Sequence, residues 1–128
     1  MRPQAAAFFE KSHELLEQAG TMLRVELTEA AGRTAYLAGY HAAQALIFER
    51  EDRVFKTHKG VQGEFARLVK DDPRFDIELR AFLGRAYDLK AIADYESGPG
   101  SKVTHAQANE AITAARSFVA AIEKLIGT

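Results

Sequence analysis

The chain has 128 residues, a net charge of −1 and 47% apolar residues. That length fits one domain, and the apolar share is enough to build a core, which excludes wholesale disorder. The charge balance shows neither the basic excess of an avid nucleic-acid binder nor an acidic solvating tail, and the absence of cysteine excludes disulfide scaffolds, thiolate zinc sites and cysteine nucleophiles.

The opening segment, MRPQAAAFFEKSHE, turns polar too soon for a secretory apolar region, and no apolar run approaches membrane-spanning length. The expectation is a single domain over residues 1–128, soluble in the cytoplasm and away from membranes. The apolar spacing is helical throughout. Ala7, Phe8, Leu15, Ala19, Met22 and Leu23 recur at threes and fours and predict a first helix over about residues 5 to 25. Pro3 stands where a first-turn proline is tolerated, and Gly20 marks a candidate break. Thr28 is the expected cap of a second helix over about 29 to 51.

That second helix, with its stretch RTAYLAGYHAAQALIFER, is apolar on most sides, as a central buried helix is. At about 100° per residue, Ala31, Ala35, Ala38, Ala42 and Ala45 form a narrow seam that lets another backbone come close. Tyr36, Tyr40 and Ile47 lie opposite, with Leu37, His41 and Phe48 on the flank. The polar REDRVFKTHKG reads as a connection, and Thr57 as the cap of a short third helix over about 58 to 70 with Val61, Phe65, Leu68 and Val69 inward. KDDPRFD ends it, because the residue before Pro73 is pushed out of the α region. A fourth helix is predicted over about 75 to 94, with Ile77, Leu79, Phe82, Leu83, Ala86, Leu89 and Ile92–Ala93 inward. ESGPGS reads as a loop. Thr104 and Gln107 form a capping-box pair that opens a last helix to about 126. With no competing strand pattern, the predicted fold is an all-α five-helix bundle with one short helix and an up-and-down core.

Three stretches carry a family resemblance. AGRTAYLAGYHAAQALIFER resembles the second long helix of small stand-alone prokaryotic HEPN-domain proteins. KTHKGVQGEF resembles the segment that follows it, and RAYDLKAIADYE their fourth-helix ending in Ala–Asp–Tyr. The order and spacing agree over nearly the whole chain. The resemblance implies a bundle that forms homodimers, association with nucleotides or RNA, and a link to toxin–antitoxin systems. In those systems a HEPN ribonuclease, or a non-catalytic relative of one, partners a nucleotidyltransferase-like antitoxin.

The catalytic signature of that family is an arginine followed, after four to six residues, by histidine. Cleavage of RNA by its own 2′-hydroxyl needs a general base and acid, which histidine supplies near neutral pH. It also needs a fixed cation against the developing phosphorane charge, which arginine supplies. The expected region, around Arg85 to Tyr95, has no histidine. One formal match occurs elsewhere, Arg53 with His58, but a chain with this many arginines and histidines yields about one such match by chance.

The remaining polar candidates each have two readings. His41, with Arg33 two turns earlier, can form an anion site or be a structural histidine hydrogen-bonded to another helix. Tyr36 and Tyr40 are i,i+4 partners that pack, with hydroxyls directed toward the third or fourth helix. Arg85, Lys90, Asp94 and Tyr95 can replace the missing constellation, or form a helix-end polar cluster in which Lys90 and Asp94 pair at i,i+4. Arg53, His58 and Lys59, with Arg50 and Lys56, form the most cationic part of the chain, read either as a phosphate contact or as a solvated loop; here His58 is expected to be exposed. His13 and His105 read as surface. No spacing resembles a metal site, and no cofactor is expected.

The first functional expectation is a nucleotide- or RNA-associated protein, non-catalytic, partnering a nucleotidyltransferase-like antitoxin. The second is a metal-independent endoribonuclease using Arg85 or Arg53 with His58 or His41. The third is a structural dimerisation module, which the pI of about 6.4 favours over avid RNA binding.

Overall fold

A computed structural model describes residues 1–95 and 102–127, apart from the side chain of Tyr95. ESGPGS, read above as a loop, lies outside the described residues. Five helices are present and no strand among the described residues: α1 (Pro3–Arg24), α2 (Thr28–Glu51), α3 (His58–Val69), α4 (Ile77–Tyr95) and α5 (His105–Ile126). The all-α five-helix expectation holds.

Gly20 does not break α1. Ala19 and Leu23 carry the buried stripe past it, so packing outweighs the local cost of glycine. The turn into α2 closes with paired bonds, Leu27 N–H to the Met22 carbonyl and Glu26 N–H to that of Leu23. Glu26 adopts the left-handed conformation, φ 61°, as the C′ residue of this Schellman pattern. The geometry removes Thr28 from its expected capping place. Leu27 is the N-cap, without a side-chain bond, and the Thr28 hydroxyl donates to Glu29 Oε2 at 3.0 Å.

α2 is the central helix and packs against all four others, most extensively α1 and then α5. All five seam alanines are fully buried. The close approach they permit lets the buried Ser12 of α1 donate to the Ala38 carbonyl at 2.7 Å. Towards α4 the small residue is Gly39, where an added Cβ would stand 2.2 Å from Phe82 Cε2. Phe82 stacks in turn on Phe118 of α5, centroids 4.6 Å apart.

Thr57 caps α3 through the Gly60 N–H at 2.9 Å, and Thr104 caps α5 in a complete capping box with Gln107. Each such cap contributes about 1 kcal/mol. The α3–α4 connection is held by Arg80, whose guanidinium donates to the carbonyls of Val69, Lys70, Asp72 and Phe75. Here the start of α4 departs from expectation. Asp76 caps it through the Leu79 N–H at 2.9 Å. The preceding Phe75 supplies the buried side chain, and Ile77, expected inward, is 76% exposed. None of the helices is long and apolar enough to cross a membrane.

Candidate functional site

The side of α2 away from the alanine seam carries the chemistry. Tyr36 is fully buried there, and a buried phenol needs a partner. Its hydroxyl lies 2.7 Å from His58 Nδ1 and receives Gln62 Nε2–H at 3.4 Å, both from the first turns of α3. Because Gln62 donates to the phenol oxygen, the phenol proton is satisfied by pointing at Nδ1. Neutral His58 then carries its own proton on Nε2. Burial pushes the Tyr36 hydroxyl up to about 12, so it keeps its proton at any physiological pH. Burial first, and the charge of Lys90 second, hold His58 below the ordinary imidazole value.

Two further rings complete this centre. The Tyr40 centroid lies 4.8 Å from that of His58, and the Tyr87 centroid, on α4, 5.4 Å from it. Tyr87 also meets Tyr36 edge-on at 5.5 Å. Both rings are half-buried, so this aromatic face reaches the surface.

Beside it sits an ion triad. Asp94 of α4 accepts from Arg33 Nε of α2 at 2.6 Å through Oδ1 and from Lys90 Nζ at 2.5 Å through Oδ2. The Asp94 and Lys90 side chains are only 18% and 16% exposed, against 38% for Arg33. The Lys90 hydrogen bond first, with that of Arg33, holds Asp94 below the ordinary carboxylate range although burial acts the other way.

The structure therefore joins Arg33, Tyr36, Tyr40, His58, Lys90 and Asp94 on the side of α2 that faces α3 and α4. It separates them from other candidates. Arg85 points elsewhere: on α4 it lies about 140° around the axis from Lys90, and its exposed guanidinium pairs with Glu78 at 2.9 Å. There it lines a groove of about 540 Å³ between α4 and α5 floored by Phe82, Ala86 and Leu89. His41 does not join Arg33. It turns toward α1, its ring 6.1 Å from Phe8, and burial first, with Lys11, holds it below the ordinary imidazole value. Its Nδ1 is buried and has no hydrogen-bond partner among the described residues, so that nitrogen does not make the bond to another helix expected of a structural histidine. Arg53 lies over the Phe55 ring at 4.5 Å. Lys59 is exposed, whereas His58, expected to be exposed with it, is drawn among the tyrosines. The side chain of Tyr95 lies outside the described residues. His13 and His105 are surface residues paired with Glu123 and Glu26.

Tyr87 and Gln62 are members of the site that the sequence reading omitted. A periodic signal existed for both. Tyr87, Lys90 and Asp94 follow the i, i+3, i+7 spacing of one helix face, and Gln62 stands four residues after His58. Among the described residues no group of three or more His, Asp or Glu side chains can hold a metal ion.

Comparison with known proteins agrees with this architecture. A protein of Methanocaldococcus jannaschii named "Putative toxin MJ0142" is 27% identical over 88 residues, covering 69% of this chain. The match spans 59% of that relative's length. The crystal structure of TT1696 from Thermus thermophilus superposes with a TM-score of 0.80 at 18% identity, covering 96% of this chain and 98% of that one; at that identity the likeness is one of fold. Residues 5–125 match the HEPN domain. The chain belongs to the HEPN domain family.

Proposed function

We propose that this HEPN domain is a non-catalytic, nucleotide- or RNA-associated subunit of a toxin–antitoxin-like pair, acting as a homodimer with a nucleotidyltransferase-like partner. One observation carries the non-catalytic part. Counted from Arg85, the histidine of the ribonuclease signature would fall at positions 90 to 92, which are Lys90, Ala91 and Ile92. Arg85 and Lys90 diverge around the helix, and Lys90 is bonded to Asp94. No cation–histidine pair of that signature is assembled on α4. The toxin name of the archaeal relative supports the toxin–antitoxin setting, and the aromatic face beside two cations suits a nucleotide.

The test is incubation of purified protein with single-stranded RNA in a metal chelator, together with co-purification against a nucleotidyltransferase-like protein encoded beside it. The expected result is intact RNA and a stable complex. Metal-independent cleavage that vanishes in His58→Ala would overturn the reading. It would establish the alternative, an endoribonuclease toxin, which the proximity of neutral His58 to Lys90 favours.

A further inference from the structure

We propose that Arg33 and Lys90 form a phosphate site that the chain keeps filled with its own Asp94, so that a nucleotide or RNA phosphate binds by displacing the Asp94 carboxylate. The proposal deepens the reading above by naming where the phosphate goes and what limits its access.

The arrangement around Asp94 is that of a bound anion. Each carboxylate oxygen has its own cationic donor, Arg33 Nε on Oδ1 and Lys90 Nζ on Oδ2. The two donors come from different helices and positions 57 residues apart in sequence, and they converge on one half-buried point. Cations so placed are costly without a counter-charge, and phosphate oxygens can take the same two donors while bringing more charge and a further acceptor. Asp94 competes from a favourable position, because its place four residues after Lys90 gives it a high effective concentration. Affinity in the wild-type chain is therefore weak by construction.

The neighbours fit a phosphate that carries a base. Lys90 is close enough for its charge to bear on His58. The rings of Tyr40, His58 and Tyr87 adjoin one another and offer a stacking face of the kind that accepts any base.

The test compares wild-type protein with Asp94→Asn, which keeps the shape and removes the charge. Asp88→Asn, at an exposed position on the same helix, controls for net charge. Each is titrated calorimetrically at low salt with inorganic pyrophosphate, AMP and a short single-stranded RNA, and circular dichroism checks the fold. Asp94→Asn should bind pyrophosphate at least about tenfold more tightly than wild type, a modest consequence of losing a charge in contact with the ligand site. Asp88→Asn should not, and adding Lys90→Gln or Arg33→Gln to Asp94→Asn should remove the gain. A gain extending to AMP alone identifies a free nucleotide as the source of the phosphate, and a gain extending to RNA identifies the RNA backbone. If Asp94→Asn binds pyrophosphate no better than Asp88→Asn, the proposal is overturned. The wider reading has its own readout in the RNA-cleavage and partner-complex assays, which that result leaves untouched.

Discussion

The two sides of α2 solve opposite problems. The alanine seam has no side chain large enough to do chemistry; its contribution is the absence of bulk, which brings backbones together until Ser12 reaches the Ala38 carbonyl. The tyrosine side is built from large polar groups, each tied to a partner on α3 or α4: Tyr36 to His58, and Arg33 to Asp94. Bulk is tolerated there because two partly exposed helix junctions share it. One helix can therefore be the core of the bundle and the floor of its candidate site. Stability and binding should respond to different substitutions along it.

The largest expected effect is on the seam. Ala38→Leu puts extra volume at a fully buried position against α1, and overpacking should lower unfolding free energy by about 3 kcal/mol. A urea melt checks this, and an unchanged midpoint would show that the seam is not close-packed. Gly39→Ala comes next. Its Cβ would overlap the Phe82 ring, which is itself pinned on Phe118. The clash outweighs the helix-propensity gain of alanine, for a net loss of about 2 kcal/mol, and Phe82→Leu in the same chain should recover part of it.

On the other side, Tyr36→Phe deletes only the hydroxyl facing His58 Nδ1. The expected loss is about 1 kcal/mol, with a change in the His58 ring-nitrogen NMR shifts as the tautomer preference relaxes. If those shifts stay put, Tyr36 does not set the tautomer. The smallest effect is in the pH dependence. His41 and His58 both sit below the ordinary imidazole value in the folded chain. Their neutral forms are favoured by folding, so as pH falls below about 6.5 the unfolded chain takes up protons first. Stability is complete above that pH and is lost as pH drops through the folded values. His41→Leu should narrow the gap between urea midpoints measured at about pH 7.5 and about pH 5.5. It should leave the midpoint at the higher pH no lower than wild type, because the buried Nδ1 it removes has no partner among the described residues. An unaltered gap would assign the acid sensitivity elsewhere.

Much of the fold was legible because its signals are local. The caps Thr57 and Thr104 stand within one turn of the amides they bind, and the Lys90–Asp94 pair is an i,i+4 neighbour pair. The buried alanine seam followed from helical period alone. Where a local rule had a rival, the sequence misled. Thr28 yielded its place to Leu27 once the turn at Glu26 set the start of α2, and Ile77 yielded the core to Phe75 once Asp76 capped α4.

The sequence by itself determined the helices, the small-residue side of α2 and the absence of the ribonuclease histidine from α4. Only the tertiary structure decided which candidates meet. Arg33 finds Asp94 across 61 residues and Tyr36 finds His58 across 22, while Arg85 and His41, equally promising as letters, turn to other neighbours. The physical reason is that a helix wheel assigns a side chain to a face. Which helix covers that face is settled by close packing of the whole bundle, and here the bulkless alanines and Gly39 set how near each partner comes.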